Sequence, residues 1–227
     1  MKKKNRAPVR KAAKPSEGRA GSKAAGSKRP ATDRSKATIR RLRSELAGAQ
    51  QLVERLQASA DTDFLLGILN RRGFERELNR SIAYIKRYRA NGALIVLDVD
   101  RLKPINDAFG HAAGDQVLKA VVAAITGQVR ASDVVGRLGG DEFVVLLWNL
   151  SETDAHAKAA ALEQAIDRLS FVFADQTVTT GVSAGVAILG AHSEAAEVLQ
   201  EADSAMYVRK AQRRHERNSA ANNGPER

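Results

Sequence analysis

Strand and helix signals alternate over residues 61–215 in the order β-α-β-β-α-β behind a leading helix. That order predicts an α/β sandwich of ferredoxin-like or polymerase-palm type, a central mostly antiparallel sheet flanked by helices and preceded by an N-terminal helix. Two local features sharpen the expectation. An apolar strand, Ala93-Leu94-Ile95-Val96-Leu97, ends in Asp98-Val99-Asp100, and Gly139-Gly140-Asp141-Glu142 separates two further strands as a hairpin turn would.

The elements follow in chain order. Residues 1–37 hold thirteen Lys and Arg against Glu17 and Asp33, so they carry the whole formal charge of +11. Val9 is their one β-branched aliphatic residue, so little apolar surface can offset ordering entropy, and a disordered basic tail is expected. Over 38–60, Ile39, Leu42, Leu46, Ala49, Val53, Leu56 and Ala60 recur in steps of three and four, the stripe of an amphipathic, coiled-coil-like helix. Such a stripe serves either a parallel dimer seam or packing on the chain's own domain.

Asn70 can cap a helix whose inward positions are Phe74, Leu78, Ile82 and Ile85. The 93–97 strand follows Asn91-Gly92, and a polar loop is expected over 101–113. Gly114–Arg130 reads as a helix, then Asp133–Leu138 and Phe143–Trp148 as the hairpin strands. A helix over 153–170, a strand Val178–Leu189 bent at Gly181 or Gly185, and a final helix Glu194–Arg213 complete the body. Residues 216–227 are expected to be a second disordered tail.

Composition removes several classes of function. Without cysteine there is no disulfide scaffold, no thiolate zinc site and no thiol nucleophile. No apolar run approaches the roughly 20 residues of a membrane span, and no secretory signal is visible, so a cytoplasmic protein is expected. Residues 60–208 carry fourteen bases and twenty acids, so the body itself is acidic.

The acids are placed for chemistry. A carboxylate at the end of a buried strand is costly unless it is paired or metal-bound. If the glycine hairpin lies beside that strand, Asp98, Asp141 and Glu142 converge at one sheet edge. Carboxylates with no His or Cys nearby suit hard cations, Mg²⁺ or Mn²⁺, which spend their remaining positions on phosphates. Lys103, Lys210 and Arg214 supply positive charge, and Gly139 and Gly140 let a phosphate approach the backbone.

Five segments in order then resemble one family. Arg137-Leu138-Gly139-Gly140-Asp141-Glu142-Phe143 resembles the signature of GGDEF domains, the diguanylate cyclases. Asp63–Arg72 resembles the family's D-x-L-T-G-L-x-N-R-R entry, and Asp98–Asp107 its D-x-D-x-F-K-x-I-N-D. Gly110–Asp115 matches G-H-x-x-G-D, and Ala205–Lys210 is similar to A-M-Y-x-A-K.

The resemblance implies a role for each matching residue. Asp98, Asp141, Glu142 and the Val99 carbonyl would hold the metal, with Asp141 and Glu142 catalytic. Asn106 and Asp115 would read guanine, whose N1–H and N2–H a carboxylate can accept together. Lys103, Lys210, Arg214 and the backbone at Arg101, Leu102, Gly139 and Gly140 would hold the triphosphate. The 3′-hydroxyl of one GTP would attack the α-phosphate of another, giving cyclic di-GMP and pyrophosphate with two-metal assistance. Each domain binds one GTP, so a homodimer is implied, and the 38–60 stripe would supply it. Arg130 and Asp133 resemble the R-x-x-D site where cyclic di-GMP inhibits. The second base of that site has no evident candidate near Ala161 and Glu163.

The chain departs from the pattern at Leu66, Leu102, Arg209, Arg213 and His215. Arg209 and Arg213 are expected to thicken the charge beside the phosphates. The alternative function is a non-catalytic module that senses GTP or cyclic di-GMP. For residues 1–37 an anionic surface, membrane or nucleic acid, is the partner that thirteen bases would meet.

Overall fold

The computed structural model describes residues 31–222. Residues 1–30, most of the basic tail, and 223–227 lie outside them. Residues 31–50 fall in one compact unit and the described residues from Gln51 onward in another.

Helix α1, Ala31–Ala60, starts seven residues before the expected boundary at 38. The expectation of disorder weighed only the burial that segment can achieve. Ala, Arg, Lys and Ser also have adequate intrinsic helix propensity, and 31–37 simply extend the amphipathic helix. Ile39, Leu42, Leu46 and Val53 are each about half exposed in the single chain.

Helix α2, Arg71–Tyr88, begins as expected at Asn70, whose side chain accepts from the Gly73 amide at 3.0 Å. Strand β1, Gly92–Asp100, is buried along its whole length. The 101–113 segment is not a loop. Helix α3, Leu102–Phe109, and helix α4, His111–Thr126, occupy it, separated by Gly110 at φ 82°. Pro104 lies in the first turn of α3, where a helix tolerates a missing amide.

Strands β2, Val134–Gly139, and β3, Glu142–Trp148, form the expected hairpin. Helix α5 is Glu152–Asp167, capped by Ser151. The expected strand 178–189 is divided. Strand β5, Gln176–Thr179, pairs with β4, Ser170–Phe173, as a separate hairpin, and β6, Gly181–Leu189, joins the main sheet. The β4–β5 turn uses Ala174 and Asp175 at positive φ, so no glycine or asparagine marks it in the sequence. Helix α6, Ala195–Asn222, passes the expected end at 213 and takes in 216–222, which were expected to be tail.

The main sheet has the order β2-β3-β1-β6, with every neighbouring pair antiparallel. Side chains alternate along β1. Ala93, Ile95, Leu97 and Val99 enter a core with α3, α4 and α5, while Leu94 and Val96 enter a second core with α2 and α6. Asp98 and Asp100 continue the second series, so period two directs both acids toward the α6 face. This is the sandwich that the sequence predicts.

Gly185 sets how closely α6 lies on the sheet. A Cβ there would stand 2.1 Å from the Ala202 carbonyl oxygen and 2.1 Å from the Met206 nitrogen. Both contacts are helix backbone, which cannot move aside. Gly185→Ala is expected to destabilise the domain by about 1–3 kcal/mol in urea denaturation, as overpacking does elsewhere.

Candidate active site

The end of β1 gathers the chemistry. Asp98 stands opposite Glu142 in the β1–β3 register, and the Val99 amide donates to the Asp141 carbonyl at 3.0 Å. The glycine hairpin therefore lies beside the acid-tipped strand, as the sequence suggests. Asp98 is buried, and Lys210 Nζ from α6 reaches its Oδ1 at 2.6 Å. Burial pushes the Asp98 carboxyl above its ordinary value, against the pull of Lys210, and Asp141 and Asp100 add repulsion. Glu142 is raised by burial first, then by Asp98 and Asp203.

These acids do not stand as a preformed cage. Among the described residues no three His, Cys, Asp or Glu side chains are grouped to hold a metal ion. Asp98 faces Lys210, and Glu142 is 3.9 Å from Arg71, so each acid has a basic neighbour. The strands converge as expected, while the carboxylates stop short of a shared centre.

Two arginines brace the turn. Arg137 donates to the Gly140 carbonyl through Nε at 3.0 Å and Nη2 at 2.6 Å, and its Nη1 reaches Asp63 Oδ2 at 2.9 Å. Arg71 Nε donates to the Leu138 carbonyl at 2.8 Å. Gly140 sits at φ 47°, a conformation that favours glycine. Arg71, Asp63 and Arg137 lie within the quoted motifs, but spacing alone does not reveal that they fasten the segments to one another.

Across the sheet end, Arg101 takes a left-handed conformation, φ 67°, and α3 starts at Leu102 with no side-chain cap. Its first amides are thus open to an acceptor. Asn106 is half-buried, its Oδ1 has no partner, and it lies over Gly114, where a Cβ would be 1.9 Å away. Asp115 follows directly on α4 and is also half-buried. The fold thus joins the two expected guanine readers in one place. Lys103 and Arg214 are exposed.

Arg209 and Arg213 depart from expectation. Arg209 binds Glu163 through Nε and Nη2, at 3.1 and 2.8 Å. Arg213 reaches Asp100, Glu163 and Asp167. Both are engaged by buried or nearby acids, so they do not simply add free charge beside Lys210 and Arg214.

Asp133 accepts from the Arg130 amide at 2.8 Å, while Arg130 is exposed. Both border one shallow cavity. Arg130, Lys158 and Ala161 border a second, of about 470 Å³. Lys158 also donates from Nζ to the Gln128 carbonyl at 2.9 Å. It stands one helical turn before Ala161, and spacing alone does not single it out.

Fold and site define a palm-type α/β domain whose acids collect at the end of its central strand. A family model described as "Diguanylate cyclase, GGDEF domain" matches residues 60–216. The chain belongs to the GGDEF family of diguanylate cyclases. It is 41% identical over 175 residues to the diguanylate cyclase TpbB of Pseudomonas aeruginosa, which covers 75% of this chain and 40% of TpbB. To DosC of Escherichia coli, another diguanylate cyclase, it is 34% identical over 149 residues, 65% of this chain and 32% of DosC. The chain thus spans well under half the length of these relatives.

Solved structures agree. The GGDEF domain of TpbB aligns with a TM-score of 0.62 and 41% identity, over 66% of this chain and 89% of that one. The coiled coil and GGDEF domain of DgcB from Caulobacter crescentus, in complex with c-di-GMP, aligns with a TM-score of 0.66 and 26% identity, over 78% and 94%. No helix among the described residues is long and apolar enough to cross a membrane.

Proposed function

We propose that this domain condenses two GTP into cyclic di-GMP, releasing pyrophosphate. The observation that carries the reading is the register of Asp98 against Glu142 at the glycine hairpin, with Lys210 held on Asp98. Asp98, Asp141, Glu142 and the Val99 carbonyl are the ligand set for Mg²⁺ or Mn²⁺. Oxygen donors suit these ions, and burial, the main cause that raises the Asp98 and Glu142 carboxyls, makes a cationic partner favourable there. A divalent cation held there would supply the charge that polarises the α-phosphate and acidifies the attacking 3′-hydroxyl.

The remaining residues bind and orient. Amides at Arg101 and Leu102, at the start of α3, face the phosphates with Lys103. Gly139 and Gly140 give the phosphates room. Lys210, which sits on Asp98, and Arg214, one turn further on, would supply positive charge to the phosphate oxygens. Asn106 and Asp115, neighbours through the Gly114 contact, hold the guanine edge.

The hydroxyl of one GTP must meet the phosphate of another, so two domains face each other. The exposed Ile39–Val53 stripe of α1 is the dimer seam. Cyclic di-GMP binds at Arg130 and Asp133, with Lys158 as the second base. Arg130→Ala and Lys158→Ala are each expected to raise the cyclic di-GMP concentration for half-inhibition about tenfold, the loss of one charge-assisted contact. Inhibition assays with added product measure it. The reading itself is tested by incubating the protein with GTP and Mg²⁺. Cyclic di-GMP supports it, whereas GTP binding without turnover favours the sensing module.

A further inference from the structure

Helix α6 is held to the sheet in two different ways. Its first half is anchored by apolar burial at Val198, Ala202 and Met206. Beyond Met206, none of its described residues is a buried hydrophobic. The inward stripe continues with the same helical spacing, but its members become Lys210, Arg213 and Arg217. Both residues of α6 that the proposed function places on phosphates, Lys210 and Arg214, lie in this second half.

What holds it there is ionic. Asp100, at the end of β1, is buried. Its Oδ2 takes Arg217 Nη2 at 2.5 Å and Arg213 Nε at 3.4 Å, and its Oδ1 accepts from Ser183 Oγ at 3.2 Å. Glu163 of α5 is also buried. It accepts the Ala184 amide on the open edge of β6 at 2.9 Å and takes Arg209 and Arg213 from α6. Two buried carboxylates on different elements thus grip three arginines spaced along one helix. Buried acids hold their partners tightly, because losing one leaves a charge uncompensated.

We propose that this clasp, Asp100 and Glu163 on Arg209, Arg213 and Arg217, positions the distal half of α6 so that Lys210 and Arg214 meet the substrate triphosphate. The five are positioning residues, acting through the two bases. Arg209 and Arg213 are departures from the family pattern, so the clasp belongs to this chain's own sequence. The inference rests on the proposed diguanylate cyclase reading for its consequence, but not for its geometry.

The test is Arg217→Gln in the full chain, with Arg217→Lys as the conservative rescue. Arg217 is partly exposed and Arg213 still serves Asp100, so the variant is expected to fold. Arg209→Gln is a second variant at the other end of the clasp. Hydrogen exchange should speed up at amides 207–219 and stay unchanged at 195–206. The KM for GTP should rise about tenfold, the usual effect of losing a residue that orients a ligand-binding group, with kcat changed less. Arg217→Lys should recover much of it. A purely structural role would lower kcat through a smaller active fraction and leave KM alone. Unchanged exchange at 207–219 in both Gln variants would overturn the clasp whatever the activity, as would an unchanged KM alongside an active wild type. An inactive wild type would instead fail the functional reading, and exchange alone would then decide whether the clasp exists.

Discussion

Asp98→Asn is expected to abolish cyclic di-GMP formation and to leave the fold as stable as before, or more so. With Asp98 as the proposed metal ligand, its removal takes away several kcal/mol of charge stabilisation, roughly a thousandfold in rate. Stability should move the other way. The folded protein holds the Asp98 carboxyl above its ordinary value of 3.8 because burial disfavours the charged form. Between that value and the raised one, the native state binds a proton that the unfolded chain has released. Stability owed to this group therefore grows as pH falls through that window and is lost as pH rises. At neutral pH the ionised acid opposes folding. Asn keeps the shape, still accepts from Lys210 and carries no charge, so a gain of up to about 1 kcal/mol is expected without metal. Urea denaturation in chelator measures one effect and GTP turnover the other. A large loss of stability would make Asp98 a structural residue instead.

The second large effect concerns α1. Replacing Leu42 and Leu46 together by Glu places like charges along an apolar stripe that is already half exposed in the single chain. Neither residue belongs to either core of the catalytic domain, so its thermal unfolding should be unaltered. At submicromolar protein, specific activity should fall about a hundredfold, the scale on which tethering raises the effective concentration of a second site. Raising the protein concentration should restore part of it by mass action. Sedimentation with parallel rate measurements checks both halves. Equal activity at every concentration would remove α1 as the dimer seam.

The parts of this fold that obey simple periodicity were legible. The 93–97 strand, the Asn70 cap and the Gly139–Gly140 turn each carry a local signal strong enough to survive packing. The β4–β5 hairpin was not legible because Ala174 and Asp175 take up a turn that sequence rules reserve for glycine or asparagine. Helix α3 was hidden by its short length, its Pro104 and its polar residues, since only Leu102 and Ile105 in it are buried. Near the candidate site, the strand pattern put Asp98 at the end of β1 and the helix pattern put Lys210 on the last helix, while Asn106 and Asp115 came only through the family resemblance. Spacing could not find the engagement of Arg209 and Arg213 by Glu163. Those contacts join elements distant in the chain, and only the packing of α5 and α6 around β6 creates them.

The central claim is that two copies of this domain join two GTP. The most direct measurement is product analysis from GTP and Mg²⁺ over a series of protein concentrations. Cyclic di-GMP and pyrophosphate should appear at a rate that climbs faster than linearly until the dimer saturates. A folded protein that binds GTP but forms no cyclic di-GMP at any concentration would contradict it.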